Sequence, residues 1–469
     1  MQPVPQASKA ASCCVWRTVS SFPDLARLHR LSPSRYPHLL ESVAHGTPQA
    51  RYDILFAFPG DSLVLESNGS LQHNGISSTG DFLATFDAAW RSAVVPEQTE
   101  IPFPFHGGWF VFLSYELARF LEPALTNMPS GNDWPVAVAT RFPAAIIRDH
   151  ATQTTLLVSE SPNDATLNQM EQDLCRVEAE AMVPSVPVGT DEIAEEDPVL
   201  YRQRIARVFD YIHAGDTYQV NLSRAWRLRL KWRAAAIDVY EQLRRANPSP
   251  FAGLMTVNAN RAVISSSPER LVNVCHGRVN TRPIAGTYPR SMDAEEDVAL
   301  AQELVRNPKE RAEHVMLVDL ERNDLGRLCR AGSVRTDESL VVESYRHVHH
   351  IVSNISGELN TGVTPAEVIR AVFPGGTITG CPKLRTMQII AELEGTARGA
   401  YTGSMGYINR DGSLDLNILI RTLMLDGRNV TLRAGGGIVA DSDPDRELNE
   451  TRAKAKGMLA ALTMTGTVS

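Results

Sequence analysis

Short runs of apolar and polar residues with strand-like patterning, such as 52–58 (Y-D-I-L-F-A-F) and 109–115 (W-F-V-F-L-S-Y), alternate with Gly, Pro and Asn turns through the first 180 residues. The stretch 181–198 mixes prolines with acidic residues and predicts a linker between an N-terminal region, 21–180, and a catalytic region, 199–465. The first 20 residues read as loosely ordered. Beyond the linker, Asp197 and Pro198 open a helix whose apolar residues Ile205, Val208, Phe209 and Ile212 follow the 3.6 period, and Gly215 and Asp216 end it. Residues 217–223 then alternate, with Tyr218, Val220 and Leu222 on one face and Gln219 and Asn221 on the other.

Further strands are predicted at 261–266, 270–275, 347–355, 401–409, 413–423 and 429–434, and a helix from Pro382 to Leu393. Strands joined mostly by turns indicate an α+β body of antiparallel sheets with peripheral helices. In the last helix, opened by Asp443 and Pro444, Glu447, Glu450 and Lys454 share one face. Just upstream, Gly435, Gly436 and Gly437 let the backbone approach a ligand closely and offer N–H groups to an anion. This combination suits a carboxylate substrate bridged to a divalent cation.

Three other segments carry candidate chemistry. In the helix 310–326, Glu310 and Glu313 lie one turn apart beside the apolar stripe Val315, Leu317, Val318 and Leu320, which is costly unless they are paired or metal-bound. If Glu313 meets Glu450 in space, the pair suits Mg²⁺. In the strand 345–353, Val348, His350 and Val352 share a face, which makes His350 a candidate proton shuttle or hydrogen-bond donor. Glu269, after Pro268 at a strand turn, is either a general acid or a turn residue paired with Arg270.

Composition excludes several classes. The 469 residues, 43% hydrophobic and 21% charged, describe an ordinary globular chain, and its net charge of −8 with no basic block argues against nucleic acid or a membrane as main partner. The six scattered cysteines form no C-x-x-C pair, so a reduced, cytoplasmic protein is expected. The G-x-G-x-x-A match at Gly435, Gly437 and Ala440 is followed by a helix only after D-S-D-P rather than at the glycines and lacks a second nucleotide-binding half, and Cys381 and Pro382 interrupt the Walker-like run 373–383.

Together, the blocks at 215–222 (G-D-T-Y-Q-V-N-L), 267–270 (S-P-E-R), 282–290 (R-P-I-A-G-T-Y-P-R), 311–327, 348–350 (V-H-H), 373–385, 420–422 (I-R-T) and 434–451 resemble the chorismate-utilising enzymes. The N-terminal blocks 36–42, 51–55 and 105–109 fit the same family. The resemblance implies two large packed antiparallel sheets with helices outside, and 199–465 as the chorismate-binding region. Within the family, Y-Q-V-N-L, R-Y-D-I-L and V-H-H are similar to the aminodeoxychorismate synthase component I branch, whereas anthranilate synthases usually show F-Q-V-V-L, R-Y-S-F-I and V-M-H. Ala285 points the other way: many aminodeoxychorismate synthases have a nucleophilic Lys there, and anthranilate synthases share P-I-A-G-T.

Chorismate carries a ring carboxylate, an enolpyruvyl ether and a 4-hydroxyl. The resemblance implies Glu269 as the acid that protonates the departing hydroxyl, with His350 and Thr287 also in the catalytic set. It implies Mg²⁺ on Glu313 and Glu450, with Glu310 and Glu447 as water-mediated partners. Arg421, Lys454, Thr377 and the amides of Gly435, Gly436 and Gly437 would bind substrate. The resemblance implies that ammonia comes from a separate glutamine amidotransferase subunit, and this chain has no G-x-C-x-G nucleophile turn of its own. A tryptophan pocket of relatives maps near 39–42 and 247–251.

Overall fold

The computed structural model describes residues 14–44, 50–131, 133–181, 186–344 and 348–463. They form two antiparallel sheets of 12 strands each, with 11 α-helices packed outside, the α+β arrangement expected from the sequence. A phenylalanine-rich core fills the space between the sheets, with Ile54, Phe56 and Ile147 from one meeting Phe110, Phe112 and Met405 from the other. Leu55 and Ala57, alternating with Ile54 and Phe56 along Tyr52–Ala57, point instead to the helices outside. Both faces of such a strand are therefore buried, so alternation there separates two cores rather than core from solvent.

Each sheet draws strands from both sides of the expected 181–198 linker. The strand Thr190–Glu195 lies inside that stretch and pairs along Gln219–Leu230. At the N-terminus, Val15–Val19 pairs with Thr154–Ser159, so order begins within the stretch 1–20 read as loose, and residues 1–13 lie outside the described residues. The expected strand 413–423 is two, Leu414–Asn417 and Thr422–Asp426, one in each sheet. The strand foreseen at 429–434 runs on to Ile438 and takes in the three glycines.

Candidate active site

Two of the places where the chain passes from one sheet to the other are neighbours. Arg261–Ser267 belongs to the first sheet and Arg270–Cys275 to the second, and Glu269 sits at that step. Leu414–Asn417 and Thr422–Asp426 make the reverse step through Arg421, whose φ of 54° is left-handed, a sparsely populated conformation for a non-glycine residue. The two crossings are tied by Ile418 N–H to Glu269 O (3.0 Å) and Ser266 N–H to Arg421 O (3.1 Å). Between them opens a cleft of about 220 Å³ lined by Glu269, Thr377, Arg421, Glu310, Glu313, Glu447, Glu450 and Lys454.

Glu269 is 6% exposed and accepts a 2.7 Å hydrogen bond from the Thr377 hydroxyl. Burial pushes its carboxyl up to about 7, against the opposing pulls of Thr377, Arg421 and Lys454. A carboxyl of this kind carries a proton near neutral pH and can donate it. The alternative pairing with Arg270 does not form, because that guanidinium binds Asp415 through two 2.8 Å bonds.

Four carboxylates gather opposite. Asn307 caps the helix Pro308–Gly326, accepting from the N–H of Lys309, and the first turns carry Glu310 and Glu313 to the cleft. Asp443 Oδ1 accepts from Arg446 N–H at 2.8 Å, starting the helix Pro444–Thr463 that supplies Glu447 and Glu450. Burial first, then Glu310 and Glu450, push Glu313 up to about 7. Glu447 is raised by burial as well, and Ser442 donates to it at 2.8 Å. Glu450, whose side chain is 46% exposed, is instead held low by Lys454 at 2.6 Å, which outweighs the partial desolvation of its carboxyl. The apolar stripe foreseen beside Glu310 and Glu313 holds in part: Leu317 is buried and Val318 packs against the core, but Val315 is 53% exposed, and the buried face continues through His314, Glu321, Asp324 and Leu325.

Among the described residues no three His, Cys, Asp or Glu side chains form a ready-made metal cluster. Mg²⁺ uses one or two protein carboxylates and completes its shell with water and substrate. A cleft whose carboxylates crowd one another until Glu313 resists ionisation fits such a cation.

The glycine run is a strand rather than a turn. Gly435, Gly436 and Gly437 pair with Ser223, Leu222 and Asn221. The Asn221 N–H bonds outward to Thr379 O, and that of Ser223 to Glu394, so Asn221–Gly437 and Ser223–Gly435 are the wide pairs of the ladder. The amides of Gly435 and Gly437 therefore point away from the paired strand, while that of Gly436 belongs to the ladder, which removes it from the expected anion cradle. Its place there is steric: a Cβ on Gly436 would lie 3.3 Å from Glu447 Oε2, and one on Gly437 would lie 2.2 Å from Gln219 Nε2. Lys454 donates to Gly435 O at 2.9 Å, which fixes the helix against this strand.

His350 is neutral, lowered to about 4 by burial, and its Nδ1 donates to Gly286 O at 3.3 Å. That state favours hydrogen bonding over shuttling a proton at neutral pH. Ala285 is buried and lines the cleft. Thr287 belongs to the strand Ile284–Pro289, but its side chain lies outside the described residues. Cys381 has its thiol raised by burial and is no activated nucleophile. The segments 39–42 and 247–251 contribute Leu40, Glu41, Ser42 and Pro250 to a separate cavity of about 660 Å³.

Sequence reasoning did not single out Gln219 and Asn221 as ligand-facing groups. Both line the cleft, and their buried side-chain carbonyl oxygens have no partner there. Their signal was the polar face of the alternating run 217–223. Tyr401 also lines the cleft, and nothing in its sequence context marks it.

The model of the chorismate binding enzymes matches residues 47–460. The chain belongs to that family. It is 38% identical over 452 residues to aminodeoxychorismate synthase component 1 of Bacillus subtilis, covering 93% of this chain and 94% of the relative. It is equally 38% identical over 462 residues to anthranilate synthase component 1 of Streptomyces coelicolor, covering 94% and 87%. The crystal structure of anthranilate synthase component I from Streptococcus pneumoniae superposes with a TM-score of 0.77 at 31% identity, over 88% of this chain and 93% of that one. Among these chorismate binding enzymes the two activities are thus similar to this chain to the same degree. No helix of the described residues is long and apolar enough to cross a membrane.

Proposed function

We propose that this chain is the component I of an aminodeoxychorismate synthase, converting chorismate and ammonia to 4-amino-4-deoxychorismate for 4-aminobenzoate and folate synthesis. The observation that carries the reading is Asn221. Its unpartnered carbonyl oxygen faces the cleft, where the usual anthranilate synthase motif places an apolar Val. A buried amide acceptor in that position is satisfied by the N–H of incoming ammonia or by a substrate hydroxyl, and is costly left unmet.

In this reading Arg421, Lys454 and the outward amides of Gly435 and Gly437 bind the substrate's carboxylates, and neutral His350 helps orient them. Glu269, oriented by Thr377, gives its proton to the departing 4-hydroxyl, which leaves as water as nitrogen bonds to the ring carbon. Ala285 offers no nucleophile, so ammonia attacks directly. Glu313 and Glu450 would hold Mg²⁺, with Glu310 and Glu447 through water, and the bound ion would supply counter-charge and Lewis acidity at the ring carboxylate. Ammonia would come from a glutamine amidotransferase subunit.

Ala285 specifically favours a second reading, anthranilate synthase component I, in which amination elsewhere on the ring is followed by loss of pyruvate. Identification of the product formed from chorismate and ammonium tests the proposal.

A further inference from the structure

The helix Pro308–Gly326 lines the cleft with its first turns and continues behind it. Its first turns carry Glu310 and Glu313, and further along Glu321 and Asp324, each 3% exposed, lie behind the cleft. Glu321 Oε2 accepts from the Thr281 hydroxyl at 2.9 Å, and the Gly376 backbone lies directly against the same carboxylate. A Cβ on Gly376 would stand 3.3 Å from Glu321 Oε1 and 2.6 Å from Leu320 Cδ2, so the turn approaches the helix this closely only because residue 376 is glycine.

The next residue is Thr377, whose hydroxyl holds Glu269. Thr379 closes the turn by donating to Gly375 O at 2.9 Å. Its far end is tied to the same helix by the ion pair of Lys383 with Asp324. One chain of direct contacts therefore runs from Glu321 through the Gly376 turn and Thr377 to the Glu269 carboxyl.

We propose that Glu321 is a positioning residue for the proton donor: it anchors the Gly376 turn so that Thr377 stays on Glu269, and its negative charge helps keep the proton there. The inference rests on Glu269 being the donor. The charged groups facing Glu269 are Glu321, Arg421 and Lys454, of which Glu321 alone favours the protonated form. Glu321 in turn faces Asp324 and Lys383, and burial pushes it up to about 7. Glu321 therefore carries its charge on the alkaline limb, where Glu269 gives up its proton.

The test is kcat/KM for chorismate against pH, at constant free ammonia, for the parent, Glu321→Gln, Glu321→Met and Glu269→Gln. Removing the charge of Glu321 should move the alkaline limb to lower pH by about half a unit or more in Glu321→Gln, and by less in Glu321→Met, where loosening of Thr377 acts in the opposite direction. Loss of kcat should be greater in Glu321→Met, since Gln retains the bond from Thr281, and KM should stay near the parent value. If Glu321→Met does not fold, Glu321→Gln alone decides. An unmoved alkaline limb in Glu321→Gln, with Glu269→Gln inactive, overturns the role of Glu321. Normal turnover by Glu269→Gln overturns the underlying assignment of the donor instead.

Discussion

The hydroxyl of Thr377 donates to Oε1 of Glu269 across 2.7 Å, joining the 373–383 turn to the step where the chain changes sheets. That bond stabilises the ionised carboxyl, opposing the burial that pushes Glu269 up to about 7. The donor is protonated below about pH 7, so activity at constant free ammonia should fall as pH rises through that value. Glu269→Gln should lose about 10²–10⁴-fold in kcat while still binding chorismate. Thr377→Val should move the alkaline limb upward, and a limb that stays in place would remove Thr377 from contact with the donor.

Glu313→Gln and Glu450→Gln should each lower turnover by at least about 10–100-fold, with partial rescue at raised Mg²⁺. Titration of Mg²⁺ against chorismate binding checks this, and parent activity in either variant would place the cation elsewhere.

Stability should depend strongly on Glu394, which is 2% exposed and is held by Arg398 (2.7 Å), Arg433 (2.8 Å) and Ser223 (2.8 Å). Burial alone would raise its pKa, but the two guanidinium groups overcome this and hold it at about 2. Its folded pKa lies below the unfolded value, so its contribution is complete above about pH 4 and is lost as pH falls toward 2. Glu394→Ala, which strands two buried cations, should cost about 3–5 kcal/mol, measured by urea unfolding at pH 7. A loss below about 1 kcal/mol would contradict the role given to the network.

The purified chain should use ammonium and not glutamine, and glutamine should become a donor only when an amidotransferase subunit is added. Glutamate released from glutamine by the chain alone would refute this.

Much of this architecture was legible in local patterning. The strand Arg270–Cys275 and the helices from Pro198 and Pro444 follow from alternation, capping and 3.6 periodicity, which are local signals. The break at 418–421 was not legible: Ile418 and Leu419 are buried, as strand residues would be, and only the tertiary crossing puts Arg421 at positive φ. The linker reading of 181–198 failed to show the strand Thr190–Glu195 because its pairing to Gln219–Leu230 is a long-range contact. Glu269, Glu313 and Glu450 were named from motifs, and their shared cleft depends on the two sheets meeting. Glu321 lies in the 311–327 block, but nothing local distinguishes a clamp on Gly376 from a solvated helix carboxylate.

The central claim is tested by the product formed from chorismate, Mg²⁺ and ammonium, analysed by mass and by a coupled pyruvate assay. The account predicts an aminated product that retains its enolpyruvyl group, with no pyruvate until a separate lyase is added. Fluorescent anthranilate with stoichiometric pyruvate would contradict it and assign the chain to the tryptophan route.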